Sequence, residues 1–324
     1  MNSSLSNAEI YKRTFGFTWR RLVYDFLAFA AMAVLAGIGY LITEKLMDEG
    51  LVGLVIGALI GLGVVFFVLR YVSYAFKAGQ IAMITRFLTE GEVEGDVAKE
   101  GVRTVKERFL TVAAFFAATR IIKGIFRELG RVVMSIGSAI GGEKGGSVGS
   151  AISSVIQVIV EYLSDCCLGW VFFRSEESSA RATCEGAAIF FRHGKTLAKN
   201  LGRVFGMGLA SLLLIGGVLT GIFYGIAGFF PEVFAELAEE ISASADADIP
   251  AFFGTPQGAM LLCAAIAALV LWSILYSAFV KPFILTGVLR NYLESGIADT
   301  PDERSFALID SSSRKFAKLH GSLA

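Results

Sequence analysis

The sequence has little of what chemistry in water needs. It holds two histidines in 324 residues, His193 and His320, and they stand alone in unrelated segments. Its four cysteines fall as an adjacent pair, Cys166 and Cys167, with Cys184 and Cys263 far off, which is neither a metal-ligand spacing nor a disulfide framework. Free cysteines of this kind behave as small buried hydrophobes, so packing is their expected role. Clustered His, Asp or Glu at active-site spacing does not occur, which makes an enzyme the least favoured class and gives no sign of a bound cofactor. A formal net charge of zero removes any general attraction to nucleic acid. The Gly194-Lys195-Thr196 triplet ends like a phosphate-binding loop, but Ile189 stands five residues before Gly194, where that loop needs glycine.

Charge is missing altogether from four long apolar runs: Phe26 to Thr43, Leu51 to Leu69, Val204 to Phe230 and Gly258 to Val280. Each meets or exceeds the roughly 18 residues that cross a hydrocarbon core. A chain that is 55% hydrophobic, with a mean hydropathy of +0.64 and only 5 prolines, is too apolar for an ordinary soluble domain. The expected class is an all-α polytopic membrane bundle. The polar, uncharged stretch from Met1 to Ser6 lacks the short apolar region and small-residue cleavage site of a signal peptide, so the first apolar run is expected to be an uncleaved anchor.

Flanking charge orients the runs. Arg20 and Arg21 precede the first, Arg70 and Lys77 follow the second, Lys199 and Arg203 precede the third and Arg290 follows the last. The segment after Phe230 is acidic, with Glu232, Glu236, Glu239, Glu240, Asp246 and Asp248. The turn after the first run holds Glu44, Asp48 and Glu49 against Lys45. By the positive-inside rule both termini are expected in the cytoplasm. The middle of the chain then crosses an even number of times. Its uncharged runs at 109–119, 132–142 and 145–160 are each too short to cross alone, and Gly-Gly-Glu-Lys-Gly-Gly at 141–146 reads as a turn. A helical hairpin over 109–173, membrane-embedded or interfacial, is therefore expected, giving four crossings or six. The stretch 174–203 reads as a cytoplasmic linker helix and 291–324 as a cytoplasmic tail, either a short helix or disordered.

Two polar patterns stand out against this background. Arg120, Lys123, Arg127 and Arg131 fall on one helical face opposite Ile122, Ile125, Phe126, Leu129 and Val133, a pattern suited to anionic headgroups or to packing on protein. Ser150, Ser154, Gln157, Glu161 and Asp165 recur at three or four residues and share another face. A carboxylate at membrane depth is costly and faces an interior, a water-filled cavity or a basic partner. Gln157, Glu161 and Asp165 are accordingly the expected solute or ion pathway, with Lys281 as a counter-charge. The competing expectation makes this stripe a solvated face and Lys281 a snorkelling flank residue.

Glycine is the abundant residue, at 36 positions, and it recurs every fourth residue at Gly53, Gly57 and Gly61, at Gly137, Gly141, Gly145 and Gly149, and at Gly217, Gly221 and Gly225. Such ridges let helix backbones approach closely in lipid, within one chain or between copies of it. The expected partners are therefore membrane lipid, including anionic lipid, and a second copy of the chain.

The run from Cys166 and Cys167 through Lys199-Asn200-Leu201-Gly202-Arg203-Val204, and on to Tyr276-Ser277 and Leu293-Glu294, resembles the C-terminal part of choline transporter-like proteins in layout and in scattered residues. The resemblance implies a multi-pass transporter. It departs from that family at Lys281, where the family tends to be acidic, and it carries over no binding residues.

Overall fold

The computed structural model describes residues 4–47, 50–109, 112–141, 146–244 and 250–323. Within these ranges it leaves out the side chains of 51, 69–70, 112–113, 129–141, 146–157, 159, 194–205, 240 and 244. The chain is 88% helical, with no strand among the described residues. It divides into two compact units, residues 1–201 with 285–324, and residues 202–284.

The first helix, α1 (Asn7–Met47), begins well before the apolar run. Ser6 and Glu9 close a capping box that starts it: the Ser6 amide donates to the Glu9 carboxylate at 2.7 Å and the Glu9 amide to Ser6 Oγ at 3.2 Å. Its first three turns bury Ile10, Thr14, Phe17 and Thr18, whereas Phe26 and Leu41 beyond them are 72% and 66% exposed. One helix thus serves two solvents. At 41 residues and 1.5 Å per residue it is about 60 Å long, twice a hydrocarbon core.

The helix returns as α2 (Gly50–Phe67), packed along α1 at its glycines. A Cβ at Gly53 would lie 2.0 Å from the Gly39 carbonyl oxygen, one at Gly57 2.2 Å from that of Leu35, and one at Gly61 2.6 Å from Met32 Cα. These distances admit hydrogen and nothing larger. A single π turn, Val68–Val72, then leads into α3 (Ser73–Thr89).

α3 is buried along most of its length, Ala78 to Thr85 included, and forms the centre of a helical body. Around it lie α4 (Val97–Arg108), the hairpin arms α5 (Val112–Gly141) and α6 (Gly146–Phe173), and the start of α7 (Ser179–Ser211), which kinks at His193. Glycines fix the close crossings here too. A Cβ at Gly101 on α4 would meet the Phe17 ring at 2.4 Å, and one at Gly169 on α6 would meet Leu289 at 2.6 Å. The Arg108 guanidinium donates to the carbonyls of Arg174, Ser175 and Glu177 at 3.1, 3.1 and 2.7 Å, closing the turn between α6 and α7.

The C-terminal segment is an ordered part of this body. α11 (Lys281–Ala298), α12 (Glu303–Asp310) and α13 (Arg314–His320) follow one another, and Phe306, Ile309 and Phe316 are fully buried against Ile125, Cys184, Ala187 and Ala188. Residues 291–324 are therefore a docked helical cap. Ser313 caps α13 by accepting from the Phe316 amide, and its hydroxyl donates to Glu128 at 2.7 Å. Burial accounts for the order: helices of seven and eight residues gain their stability from packing rather than propensity.

The second unit holds a π turn at Leu212–Gly216, α8 (Gly217–Ala227), α9 (Pro231–Ser244) and α10 (Pro256–Leu275), with another π turn at Tyr276–Val280. The acidic stretch after Phe230 is helical up to Ser244, with Pro231 at its first position, where a missing amide costs nothing. Thr255 caps α10 by accepting from the Gly258 amide at 3.1 Å. Trp272 Nε1 donates to Ser211 Oγ at 3.3 Å, tying α10 to the end of α7.

By length and apolarity three helical stretches among the described residues suffice to cross a membrane: Asn7–Met47, Gly206–Ala227 and Pro256–Ala298, and Val52–Phe67 is a shorter apolar helix.

Candidate functional site

Asp165, on α6, faces inward, and its partner is a residue whose sequence position suggests only an orientation charge. Lys77 Nζ stands 2.8 Å from Asp165 Oδ2 and 3.5 Å from Glu161 Oε1. The Asp165 side chain is 1% exposed, Lys77 13% and Glu161 42%, so the pair is interior and Glu161 closes it from the rim. The contact to Asp165 Oδ2 is a charge contact outside hydrogen-bond alignment. Lys77 also lies 5.7 Å from the centre of the Tyr74 ring, and Lys123 of α5 lies 5.0 Å from that same ring. The arrangement ties α3, α5 and α6 together. Gln157, Ser150 and Ser154 lie outside the described side chains. Lys281 opens α11 in the second unit.

Lys77 carried one legible signal. It lies inside α3, directly before Ala78 to Thr85, none of which is charged, and a cation bordering such an uncharged stretch demands an anionic partner where the stretch is buried.

The basic helix places its residues in two environments. Arg120 and Arg127 are exposed, Lys123 is half-buried over Tyr74, and Ile122, Ile125 and Phe126 are 1%, 0% and 1% exposed. Its apolar face is thus spent on protein: Ile125 packs into the cluster with Phe306 and Phe316, and Phe126 meets Phe190 edge-on at 5.7 Å. Arg120 and Arg127 are left for other contacts, and Leu129 and Val133 lie outside the described side chains. Arg131 lies outside the described side chains.

Where α2 gives way to the body, aromatic residues converge. Tyr71 meets Phe116 at 5.0 Å between ring centres, and Tyr74 meets Phe115 at 5.4 Å. Tyr71, Phe115 and Phe116 border a cavity of about 840 Å³ framed by the end of α2, its π turn, α3, α4 and the first turns of α5. Five phenylalanines line it, and Lys106 is its one charged wall residue. A second, polar cleft of about 490 Å³ lies among α3, α4 and the end of α6. Its charges answer one another: Arg86 pairs with Glu100 at 2.7 Å and Glu90 at 3.0 Å, and Arg103 with Glu100 at 2.8 Å.

The two histidines, isolated in sequence, each find a carboxylate. His193 Nε2 is 3.4 Å from Asp299, and His320 lies between Asp310 at 2.9 Å and Glu303 at 3.1 Å. The hydrogen bond to Asp310, with that to Glu303, raises the His320 pKa above its ordinary value against a smaller opposing effect of burial. Cys166, Cys167 and Cys184 are fully buried, and burial pushes the Cys184 thiol up to about 12, so it packs rather than reacts. Among the described residues no group of three or more metal-ligating side chains assembles.

The glycine ridges divide. Gly53, Gly57 and Gly61 are the contact line between α1 and α2, whereas no atom lies within 4 Å of a Cβ built at Gly217, Gly221 or Gly225. Comparison of the chain with protein-family models, with curated proteins and with solved structures yields no match.

Proposed function

We propose that this is a non-enzymatic polytopic membrane protein that binds and organises lipid at the cytoplasmic face, using its helical body as a charged platform. In this reading the runs 26–43, 51–69, 204–230 and 258–280 all cross, and both termini are cytoplasmic. The observation that carries it is the placement of the basic helix. Phe116 of α5 touches Tyr71, four residues beyond the end of the apolar helix α2, and Arg120 and Arg127 are exposed one and three turns further on. Basic residues at that level sit in the headgroup zone, where each contributes about 1 kcal/mol toward an anionic leaflet.

Spin-labelled lipids around the reconstituted full chain test this reading. In equal phosphatidylglycerol and phosphatidylcholine the wild type is expected to enrich the anionic lipid in its shell. The variant Arg120→Gln, Lys123→Gln, Arg127→Gln is expected to lose roughly tenfold or more of that preference. Equal enrichment by both proteins, insensitive to salt, would reject the reading. Topology is tested separately: a cysteine at position 246 should label on intact cells with an impermeant reagent, and one at 311 only after the cells are opened.

Passage of a solute or ion around Gln157, Glu161 and Asp165 is the second reading, supported by the interior position of Asp165. It ranks second because Lys77 already neutralises that carboxylate. Solute uptake abolished by Glu161→Gln while the fold persists would reverse the order.

A further inference from the structure

We infer that the aromatic cavity beside α2 seats one acyl chain of an anionic phospholipid whose phosphate pairs with Lys106; the inference rests on the lipid-binding reading above and gives it a defined site. The cavity is graded from open to closed. Its mouth is formed by Phe67 and Tyr71, 57% and 38% exposed, and its floor by Val105, Phe109 and Phe115, 9%, 4% and 3% exposed. The mouth continues the outer surface of α2, where Leu59, Ile60 and Phe66 are 62%, 59% and 60% exposed. An acyl chain lying along that helix in the bilayer therefore reaches the cavity without crossing water. The volume, about 840 Å³, lies within the usual range for sites that enclose small ligands.

Three features separate this site from an ordinary packing void. The backbone departs from α-helical form where it lines the wall: the π turn Val68–Val72 supplies Tyr71 and Val72, and such single π turns are concentrated at functional sites. The walls are apolar, which excludes a polar metabolite, because burial of unpaired polar groups there would cost several kcal/mol. The single cation is uncommitted. Lys106 is exposed and makes no ion pair among the described residues, while its neighbours Arg103 and Glu107 pair with each other at 3.4 Å. One long apolar slot with one free ammonium at its side matches a molecule with a hydrocarbon tail and one negative charge.

Native mass spectrometry of the full-length protein, reconstituted in equal phosphatidylglycerol and phosphatidylcholine and then extracted in mild detergent, tests the site. The wild type is expected to retain one phosphatidylglycerol. Lys106→Gln is expected to keep a lipid but lose about fivefold of the preference for the anionic headgroup, which corresponds to about 1 kcal/mol for one basic residue near the surface. Ala75→Leu, which fills the slot from its α3 wall, is expected to abolish retention of either lipid while circular dichroism and the melting temperature remain those of the wild type. The variant Arg120→Gln, Lys123→Gln, Arg127→Gln is expected to retain its single lipid, because those residues act on the surrounding shell. Failure of the wild type to retain any lipid, or retention unchanged by both Lys106→Gln and Ala75→Leu, would overturn the site. Loss of the lipid in the triple variant alone would assign it to the basic helix and overturn the cavity while leaving the wider reading in place.

Discussion

The ridge at Gly53, Gly57 and Gly61 and the ridge at Gly217, Gly221 and Gly225 have the same spacing and opposite surroundings. In the first, the missing side chains are what allow α2 to lie against the backbone of α1, with carbonyl oxygens of Gly39 and Leu35 about where Cβ atoms would be. In the second, the same absence leaves open space. Val218, Ile222 and Ile226, beside that ridge, are 64%, 52% and 48% exposed. A glycine every fourth residue is therefore permission for contact and not evidence of it. The partner is decided by what else the sequence places nearby, and only the first ridge has a neighbouring apolar helix joined by a short turn.

The contrast extends to the two units that hold these ridges. The first holds an interior ion pair and a body of buried aromatics, while its α1–α2 arm, like α8 and α10 of the second, leaves large apolar side chains exposed. Substitutions that break the ion pair should thus matter most. Asp165→Asn, which removes the nearer and more buried of the two carboxylates at the Lys77 ammonium and leaves only Glu161 at 3.5 Å, is expected to cost up to about 3–5 kcal/mol. Replacing both residues, as Lys77→Met with Asp165→Leu, should recover most of that loss, and thermal unfolding in detergent measures the difference. If the double variant is no better than the single one, the pair is not the unit of interaction.

Next in size is Gly57→Leu. A side chain there meets the Leu35 carbonyl at 2.2 Å from its first atom, so the α1–α2 hairpin must separate, at a cost of roughly 1–3 kcal/mol or more. Lower yield of folded protein and a lower melting temperature are expected. A melting temperature equal to that of the wild type would mean that the hairpin contact is dispensable.

A smaller effect belongs to His320. Its pKa is raised in the folded protein, so the contribution of the protonated ring to stability is complete below the unfolded value, near 6.5, and fades as pH rises through the higher folded value. Once the intrinsic, base-catalysed rise in exchange rate is divided out, the docked cap of α12 and α13 should accordingly be less protected at pH 8 than at pH 6. His320→Gln should remove that dependence, and a pH profile unchanged by the substitution would refute it.

The smallest expected effect is the one that sharpens the comparison of ridges. Gly221→Leu has no atom to strike and is expected to leave stability within about 0.5 kcal/mol of the wild type. Should it instead disrupt the protein as strongly as Gly57→Leu, the second ridge is an interface between copies of the chain, and crosslinking at position 221 would then capture a dimer.

Much of this was legible in residues alone, and the exceptions share a cause. The helical class and the apolar runs follow from local periodicity, and helices occupy 112–141 and 146–173 within the stretch expected as a hairpin. The Ser6-x-x-Glu9 capping signature, which marks the start of α1, was also present in the sequence. Lys77 and Asp165 were not legible as a pair, because 88 residues and several helices separate two charges that only the packing of α3 on α6 brings together. The choice between a short helix and a disordered C-terminal tail was left open for a related reason, and the structure shows short helices there. Its short helices have weak propensity, and the surface that orders them is built by Ile125, Cys184 and Ala188 from distant parts of the chain. The apolar face of the basic helix looked as ready for lipid as for protein, and its burial under Phe306 and Phe316 depends on that same cap.

One contact at the start of the chain has consequences for how the molecule is made. Arg290 on α11 donates to the Asn7 side chain at 2.7 Å and to the Leu5 carbonyl, so the start of α1 is held by a residue 283 positions further along the chain. Every apolar run lies between them in the chain. That contact therefore forms only after all of those runs have been synthesised, whereas Phe17 meets Gly79 and Gly101 much earlier. A chain halted before residue 285 would carry every apolar run but lack the helix that anchors the start of α1 and the cap that covers Ile125.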